Sequence, residues 1–175
     1  MTNTKRIAHA AIMLAVLIVC SKISIPLPLV PLTLQTFAVG LIATLLPVAD
    51  TFWVIVAYLL LGAIGLPVFA GAGAGIGVLF SAMGGYLFGF IIYGLITSVL
   101  LSHKEFSFVN IAVANLIGAG VQLFIGSIWL MHFNSMPLVQ ALMVGFVPFV
   151  VPGIIKVILI MIVARRLSAV VSFSR

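Results

Sequence analysis

The sequence predicts an all-α membrane protein, a single domain over residues 1–175 with six transmembrane helices. Three observations lead to this fold class. First, 65% of the residues are hydrophobic and 6% are charged, with a mean hydropathy of +1.46, a composition that soluble domains do not have. Second, apolar stretches that approach the roughly 20 residues needed to cross a bilayer recur along the chain. Third, most basic residues are confined to the chain ends and one loop, as topology signals are.

Charges, prolines and glycine clusters set the boundaries of the predicted helices. The six helices cover residues 6–22, 33–48, 51–65, 79–101, 108–131 and 152–167. The second and third are short for a full crossing, which predicts a tilted or thinned arrangement. A further apolar stretch, residues 138–147, is too short to cross and is expected to form an interfacial or re-entrant helix.

The distribution of basic residues predicts the orientation of the chain. Six crossings place both termini on one side, and the opposite loops then carry only Lys22. The terminal side carries the remaining cations outside the spans, Lys5, Arg6, Lys104, Arg165, Arg166 and Arg175. Because positive residues accumulate on the cytoplasmic side, both termini are predicted to be cytoplasmic. The net charge of +6 therefore reflects topology in a lipid bilayer, and no nucleic-acid partner is expected.

Lys156 is the single charge in an otherwise apolar run, residues 144–164. A lysine in hydrocarbon costs from roughly 3 kcal/mol on insertion scales to over 10 in simulations, so it usually faces a cavity or a partner. It lies about 13 Å from Arg165 at the helical rise, which is near mid-bilayer. Asp50 and Glu105 are predicted in inner loops, out of reach. A carboxylate ligand is the expected partner, and the alternative is an ammonium group that snorkels to a headgroup.

The residues before this lysine predict a helix start inside the membrane. Pro148 and the pair Pro152 and Gly153 interrupt helical structure, so the last helix is expected to begin at Pro152. The free N–H groups of a first helical turn favour anions, and transporters use broken helices in this way. Gly153 and Lys156 are therefore predicted to line a ligand site.

A few polar residues interrupt the other spans, and each needs a hydrogen-bond partner. Asn115 and Gln122 lie seven residues apart on one face of the fifth helix and are predicted to face the same cavity as Lys156. Further candidate ligand contacts are Gln35, Thr36 and Tyr86. Interhelical hydrogen bonding is the competing role for each of them.

Three outer loops are rich in proline, glycine or polar residues: IPLPLVP at 25–31, GLPVFAGAGAGIG at 65–77 and HFNSMPL at 132–138. Non-helical backbone near membrane depth persists only where it is buried in protein or lines a cavity, so these loops predict a covered pocket. Gly73 and Gly75 are predicted ligand contacts, because glycine lets backbone amides approach a ligand closely. The alternative is a mobile outer linker.

Small residues form a stripe on the first helix. Ala8, Ala11 and Ala15 fall at positions i, i+3 and i+7, where another helix can approach closely. Catalytic signals are missing from the sequence. It has no Walker A motif, no metal-ligand spacing among His9, His103 and His132, and no nucleophile with an acid–base partner. The chain is therefore predicted not to be an enzyme, to hold no metal or cofactor, and to depend on another protein for energy if it transports.

Three long motifs carry a family resemblance. They are IPLPLVPLTLQTFAVGL at 25–41, LLLGAIGLPVFAGAGAGIGVLF at 59–80 and GGYLFGF at 84–90, followed by the final Pro-Gly and lysine. In this order and separation, they resemble the BioY family of biotin-binding S components of energy-coupling-factor (ECF) transporters. The similarity extends over essentially the whole chain.

The resemblance implies an S-component-like bundle of six helices in a bacterial plasma membrane, with a biotin site in its outer half capped by the first outer loop and the glycine-rich loop. It also implies association with a transmembrane coupling protein and two cytoplasmic ATPases. Ala11 and Ala15 match the alanine motif that contributes to docking in this family, and Ala8 extends the same stripe.

Two departures from the family pattern bear on the substrate. Members commonly have an acid three positions before the final lysine, and Gly153 stands there in this chain. The usual GPTGGYL is SAMGGYL, from Ser81. A ureido ring has two N–H donors that need acceptors, so lipoate, with the same valerate tail and no ureido ring, is an alternative to biotin. An alternative of another class is an autonomous secondary carrier, which would need an ion-coupling acid that the spans lack.

Overall fold

The computed structural model describes residues 3–71 and 73–170, which form a helical bundle with one small hairpin. In chain order, the elements are α1 (Asn3–Lys22), β1 (Ser24–Ile25), β2 (Leu32–Thr33), α2 (Gln35–Leu45), α3 (Val48–Ala63), α4 (Ile76–Leu79), α5 (Gly84–Ser102), α6 (Phe108–Phe133), α7 (Leu138–Gly145) and α8 (Val147–Val170). Within these residues, four helical segments are long and apolar enough to cross a membrane: Thr4–Lys22, Gly84–Ser102, Phe108–Phe133 and Leu138–Ser168.

Each of the six predicted helices has an observed counterpart. α2 and α3 have 11 and 16 residues, which agrees with the prediction that they are short for a full crossing. The fourth helix is expected to begin at residue 79, but the chain forms the separate short helix α4 and turns before α5 begins. The short apolar stretch before the last span is helical, as predicted, and forms α7.

The prediction that the last helix begins at Pro152 is wrong. α8 begins at Val147 and continues through Pro152. Proline lacks one N–H group, so its cost is largely that of the missing bond to the carbonyl four residues earlier. In membrane helices neighbouring groups offset this cost. The break lies at Phe146, between α7 and α8, and puts the first turn of α8 about 13 Å above Lys156 at the helical rise.

α2 is the central helix of the bundle. Every residue from Ala38 to Leu45 is buried, as expected for a helix that is apolar on all sides. Thr36 contacts Lys156, and a Cβ atom on Gly40 would meet Ile160, one turn further along both helices. α2 and α8 therefore run in the same direction, side by side.

Glycines bring α5 and α6 together. A Cβ atom on Gly85 would overlap Trp129, and one on Gly126 would overlap the Tyr86 ring. Gly89 packs on Gln122 in the same way. Small residues allow such close approach in membrane bundles, where packing replaces the hydrophobic effect between helices.

The two ends of the bundle differ in composition. At one end, which we call the basic end, Arg6 forms a two-pronged ion pair with Asp50 at the start of α3. α2 ends just before α3 and Asp50. Because α8 runs parallel to α2 from the level of Lys156, Arg165 in the later part of α8 lies near the same end. At the opposite end, which we call the loop end, the β1–β2 hairpin pairs Ser24 with Thr33 and lies near the glycine-rich loop, residues 64–75.

Candidate functional site

A cavity opens between the helices below the loop end. Its walls come from the hairpin loop, the glycine-rich loop and helices α2, α5, α6 and α8. The lining residues are Val30, Pro31, Thr33, Gln35, Thr36, Phe69, Ala70, Met83, Tyr86, Leu87, Phe90, Tyr93, Ala119, Gln122, Leu123, Phe149, Gly153, Lys156 and Val157. Of the three loops predicted to lie outside, the first two thus contribute to the cavity walls, and the third contributes no lining residue among those described.

Lys156 lies in this cavity with 9% of its surface exposed. Its Nζ donates hydrogen bonds to the carbonyl oxygen of Thr33, at 2.6 Å, and to Oγ1 of Thr36, at 2.8 Å. The one ion pair among the described residues joins Arg6 and Asp50, so no acidic side chain neutralises the ammonium group. The charge is turned inward into the cavity rather than toward a headgroup.

A helix N-terminus lies beside Lys156, but it is that of α2 rather than α8. α2 begins at Gln35, and Thr36 in its first turn contacts the lysine directly. The partial positive charge of a helix start and the full charge of the ammonium group act in the same direction. This corner of the cavity is therefore electropositive and suits a small anion.

Gln35 belongs to a hydrogen-bond network that joins the cavity to the glycine-rich loop. Its Nε2 donates to the hydroxyl of Tyr58, at 2.5 Å, and its Oε1 accepts from the hydroxyl of Thr33, at 2.9 Å. The Tyr58 hydroxyl in turn donates to the carbonyl of Val68, at 3.0 Å. The network fixes the orientation of the Gln35 amide. The side chain lines the cavity, and its NH₂ group and its carbonyl oxygen both already have a protein partner.

Tyr86 lines the opposite wall. Its hydroxyl donates to the carbonyl of Gly145, at 3.0 Å, so the side chain connects α5 to α7. Its ring packs on Gly126, where the absence of a side chain makes room for it. Tyr86 therefore lines the cavity while its hydroxyl is bonded to the protein.

Gln122 differs from Gln35, the other side-chain amide of the cavity lining, because its acceptor oxygen has no partner among the described residues. Nε2 donates to the backbone carbonyl of Tyr86, at 3.3 Å. Oε1 is buried and has no hydrogen-bond donor within the part of the chain that the structure describes. The residue is 1% exposed. A buried acceptor without a donor costs about 1–3 kcal/mol, which makes this oxygen a candidate ligand contact.

Asn115 lies outside the cavity lining, unlike Gln122. Its Nδ2 donates to Thr44 and to the Ile111 carbonyl, both at 2.9 Å, and its Oδ1 accepts from the Tyr93 hydroxyl. Seven residues place the two amides on one face of α6, but they also separate them by about 10 Å along the axis. Asn115 therefore lies below the cavity, where it joins α2, α5 and α6.

The two glycines predicted as ligand contacts also lie outside the lining. Gly73 donates its N–H to Ala70, and Gly75 donates its N–H to Gly62 at the end of α3. These amides shape the glycine-rich loop, and the loop reaches the cavity through Phe69 and Ala70 instead. Gly153 does line the cavity, and a Cβ atom there would meet nothing within 4 Å.

Sequence inspection misses the attachment of the glycine-rich loop to α1. The Lys22 ammonium donates to the carbonyls of Phe69 and Gly71, at 2.7 and 2.9 Å, and Ser21 donates to the Val68 carbonyl, at 2.5 Å. The end of α1 thus holds the loop segment that covers the cavity. Lys22, the single cation predicted in the outer loops, and the neighbouring Ser21 are the residues that could have indicated this contact. Contacts between residues about 47 positions apart, however, leave no recognisable spacing in a sequence.

The fold and the cavity define a membrane-embedded helical bundle with a mostly apolar ligand site that contains a buried cation. The family model that matches the chain describes the BioY family and covers residues 1–173. The chain belongs to the BioY family.

Two biotin transporters and one solved structure are similar to this chain over almost their whole length. The chain is 42% identical over 174 residues to biotin transporter BioY2 of Lactococcus lactis subsp. cremoris, covering 98% of this chain and 96% of that protein. It is 39% identical over 164 residues to biotin transporter BioY of Thermotoga maritima, covering 94% and 96%. A crystal structure of the S-component for biotin from an ECF-type ABC transporter superposes with a TM-score of 0.89, at 27% identity, and covers 97% of this chain and 95% of that chain.

Proposed function

We propose that this protein is the substrate-binding S component of an ECF-type transporter in a bacterial plasma membrane and that its substrate is biotin. The observation that carries the proposal is Lys156, a buried ammonium group that has no acidic partner among the described residues and lies in a mostly apolar cavity. Family membership and the biotin transporters among the relatives supply the substrate class.

The tail of the substrate is assigned to Lys156. The carbonyl of Thr33 and the hydroxyl of Thr36 hydrogen-bond the ammonium group but carry no charge. A carboxylate at the same position adds a bond in which both the donor and the acceptor are charged, and it neutralises the ammonium group, which the two neutral acceptors cannot do. The start of α2 adds its partial positive charge. A valerate carboxylate therefore fits this corner, and the ring of the substrate occupies the wider, apolar part of the cavity.

Both termini are assigned to the cytoplasm, with six crossings. The parallel descent of α2 and α8 and the Arg6–Asp50 ion pair support the placement of the basic residues at one end of the bundle. The cavity then opens below the outer surface. Substrate enters from outside, beneath the hairpin and the glycine-rich loop.

A transmembrane coupling protein and two ATPases are the proposed partners. The alanine stripe supports this assignment, because Ala8, Ala11 and Ala15 are all exposed on α1. Larger exposed side chains, Ile7, Ile12 and Val19, flank them. The stripe is thus a shallow groove of the kind that lets a second helix approach closely.

Lipoate is the second candidate substrate, and Gly153 is the observation that favours it. The family acid is missing from this position, which leaves the cavity wall without a carboxylate for a ureido ring. The valerate tail is common to both compounds, so the tail site does not distinguish them.

Direct titration of the purified protein with biotin, biotin amide and lipoate tests the proposal. We expect the tightest binding for biotin, with the amide weaker by about tenfold to a hundredfold because it lacks the charge that meets Lys156. Equal binding of biotin and its amide would exclude a site led by the carboxylate. Binding of lipoate in preference to biotin would transfer the assignment to the second candidate.

A further inference from the structure

We infer that Gln122 is a specificity-determining residue that accepts a hydrogen bond from an N–H donor on the ring of the substrate, and so selects a cyclic urea. This inference rests on the proposed function and extends it from the tail of the substrate to its ring. It starts from the one buried side-chain acceptor in the cavity wall that has no donor among the described residues.

The orientation of the Gln122 amide is fixed by chemistry. The group that faces the backbone carbonyl of Tyr86 must be the NH₂ group, because two carbonyl oxygens would repel each other. The Oε1 atom is thereby committed to the other side and can only accept. Gly89 holds the side chain in place, since a Cβ atom there would lie 3.0 Å from Cγ of Gln122.

The depth of Gln122 matches the position of the missing acid. A Cβ atom on Gly40 would lie 2.5 Å from Cδ1 of Ile160 and 2.6 Å from Oδ1 of Asn115, so these two residues set a common level for α8 and α6. From that level, Gly153 is seven residues up α8 and Gln122 is seven residues up α6, so the two lie at about the same height. The acceptor that α8 lacks is therefore present at nearly the same height on α6.

The distance from Lys156 suits a substrate that has an acid at one end and a donor at the other. Lys156 is four residues above the common level, so Gln122 lies about 5 Å higher along the bundle, and the lateral spacing of α8 and α6 adds to this distance. An extended valerate chain with part of its ring bridges such a separation. A carboxylate at Lys156 thus directs the ring of the ligand toward the Gln122 oxygen.

The experiment measures the affinity of the purified full-length protein for four ligands. They are biotin, two analogues that carry a methyl group on one or the other ureido nitrogen, and lipoate, which has no N–H donor. The proteins are the wild type, Gln122→Met, which keeps the length of the side chain without the acceptor, and Val121→Met, a control adjacent in sequence and outside the cavity lining.

We expect Gln122→Met to weaken biotin binding by about tenfold to a hundredfold and to leave lipoate binding within about threefold. One methylated analogue should bind the wild type at least about tenfold more weakly than biotin. In Gln122→Met, the same analogue and biotin should bind with similar affinity. Val121→Met should bind every ligand like the wild type.

Three results would overturn the inference. The first is that Gln122→Met binds biotin like the wild type. The second is that it weakens biotin and lipoate binding equally, which would make Gln122 a packing residue. The third concerns the wild type alone and holds even if that variant does not fold. If the wild type binds both methylated analogues as tightly as biotin, neither ureido N–H group contacts Gln122. If the wild type binds biotin tightly but one of these three results is obtained, only the role of Gln122 is refuted. If the wild type binds no biotin, the proposed function is refuted as well.

Discussion

The Nζ atom of Lys156 lies 2.6 Å from the carbonyl oxygen of Thr33, although 123 residues separate them in the chain. This bond joins α8 to the strand that ends the hairpin loop. It turns the buried charge toward the cavity and gives it two neutral acceptors, Thr33 and Thr36, where a substrate carboxylate can add its charge. The hairpin and the cation of the site are therefore parts of one hydrogen-bonded unit.

Replacing this lysine with methionine should abolish tight binding of a carboxylated substrate. Truncation of one partner of a buried charge pair costs about 2–5 kcal/mol, which corresponds to a loss of roughly thirtyfold to a few thousandfold in affinity. Calorimetric titration of Lys156→Met with biotin measures the effect. Lys104→Met, in the exposed loop between α5 and α6, is the control and should bind normally. Unchanged affinity in Lys156→Met would refute the assignment of the tail site.

Asn115→Leu should destabilise the protein without changing the substrate preference. The substitution leaves the buried hydroxyls of Tyr93 and Thr44 without their partner, at a cost of about 1–3 kcal/mol. Thermal unfolding in detergent should show a lower melting temperature, whereas the ratio of biotin to lipoate affinity should equal that of the wild type. A changed ratio with normal stability would indicate that Asn115 contacts the ligand.

The sequence predicted most of the fold because lipid imposes strong constraints on it. Every spanning backbone group needs an internal partner, so long apolar runs between charges must be helices. Helical counterparts of the six predicted spans followed from this rule, whereas the short helix before the last of them was predicted because its apolar stretch is too short to cross. The start of α8 did not, because a proline marks a weak point in a helix, and the surrounding bundle decides whether the helix breaks at Pro152 or continues through it.

The cavity was predictable only where the chemistry of a single residue required it. Lys156 needed an interior position, and it has one. Asn115 and Gln122 share a face, yet only Gln122 lines the cavity, because Asn115 lies lower on α6, where its amide is bonded to Thr44 and Tyr93. The aromatic lining residues, such as Phe69 and Phe149, carry no distinctive pattern in a chain that is apolar throughout.

A pair of glycines on α6 tests the packing of the cavity wall. Gly126→Ala places a methyl group into the Tyr86 ring and should lower stability by about 1–3 kcal/mol, as overpacking does. Gly120→Ala meets nothing within 4 Å and should be neutral or stabilising by up to about 1 kcal/mol, the gain in helix propensity. Melting temperatures of the two variants provide the measurement. Equal effects would mean that Tyr86 does not depend on the space at Gly126.

Ala15→Leu should impair assembly with the energising module and leave substrate binding intact. Ala15 is exposed on α1, away from the cavity lining, so a larger side chain there obstructs only an approaching helix. Copurification with the coupling protein and ATPases should fall by about tenfold or more, the ratio that a clash of about 1.4 kcal/mol produces. Val113→Leu, exposed on α6, is the matched control. Normal copurification of Ala15→Leu would move the docking surface elsewhere.

Gly153→Asp should raise the preference for biotin over lipoate. Residue 153 lies one turn from Lys156 on the same face of α8, and its side chain has open space in the cavity. An aspartate there competes with the substrate carboxylate for the ammonium group, which weakens binding of both compounds. It also accepts an N–H bond, which only the ureido ring can donate.

The ratio of the two affinities isolates this second effect, because the competition at Lys156 is common to both ligands. We expect the ratio to increase by about tenfold, the value of one added charge-assisted bond of about 1.4 kcal/mol. Gly153→Asn has nearly the same shape without the charge. It should leave lipoate binding within about threefold of the wild type, since it does not compete for the lysine. A ratio that stays constant or falls in Gly153→Asp would place the ring away from α8 and leave Gln122 as its remaining polar contact.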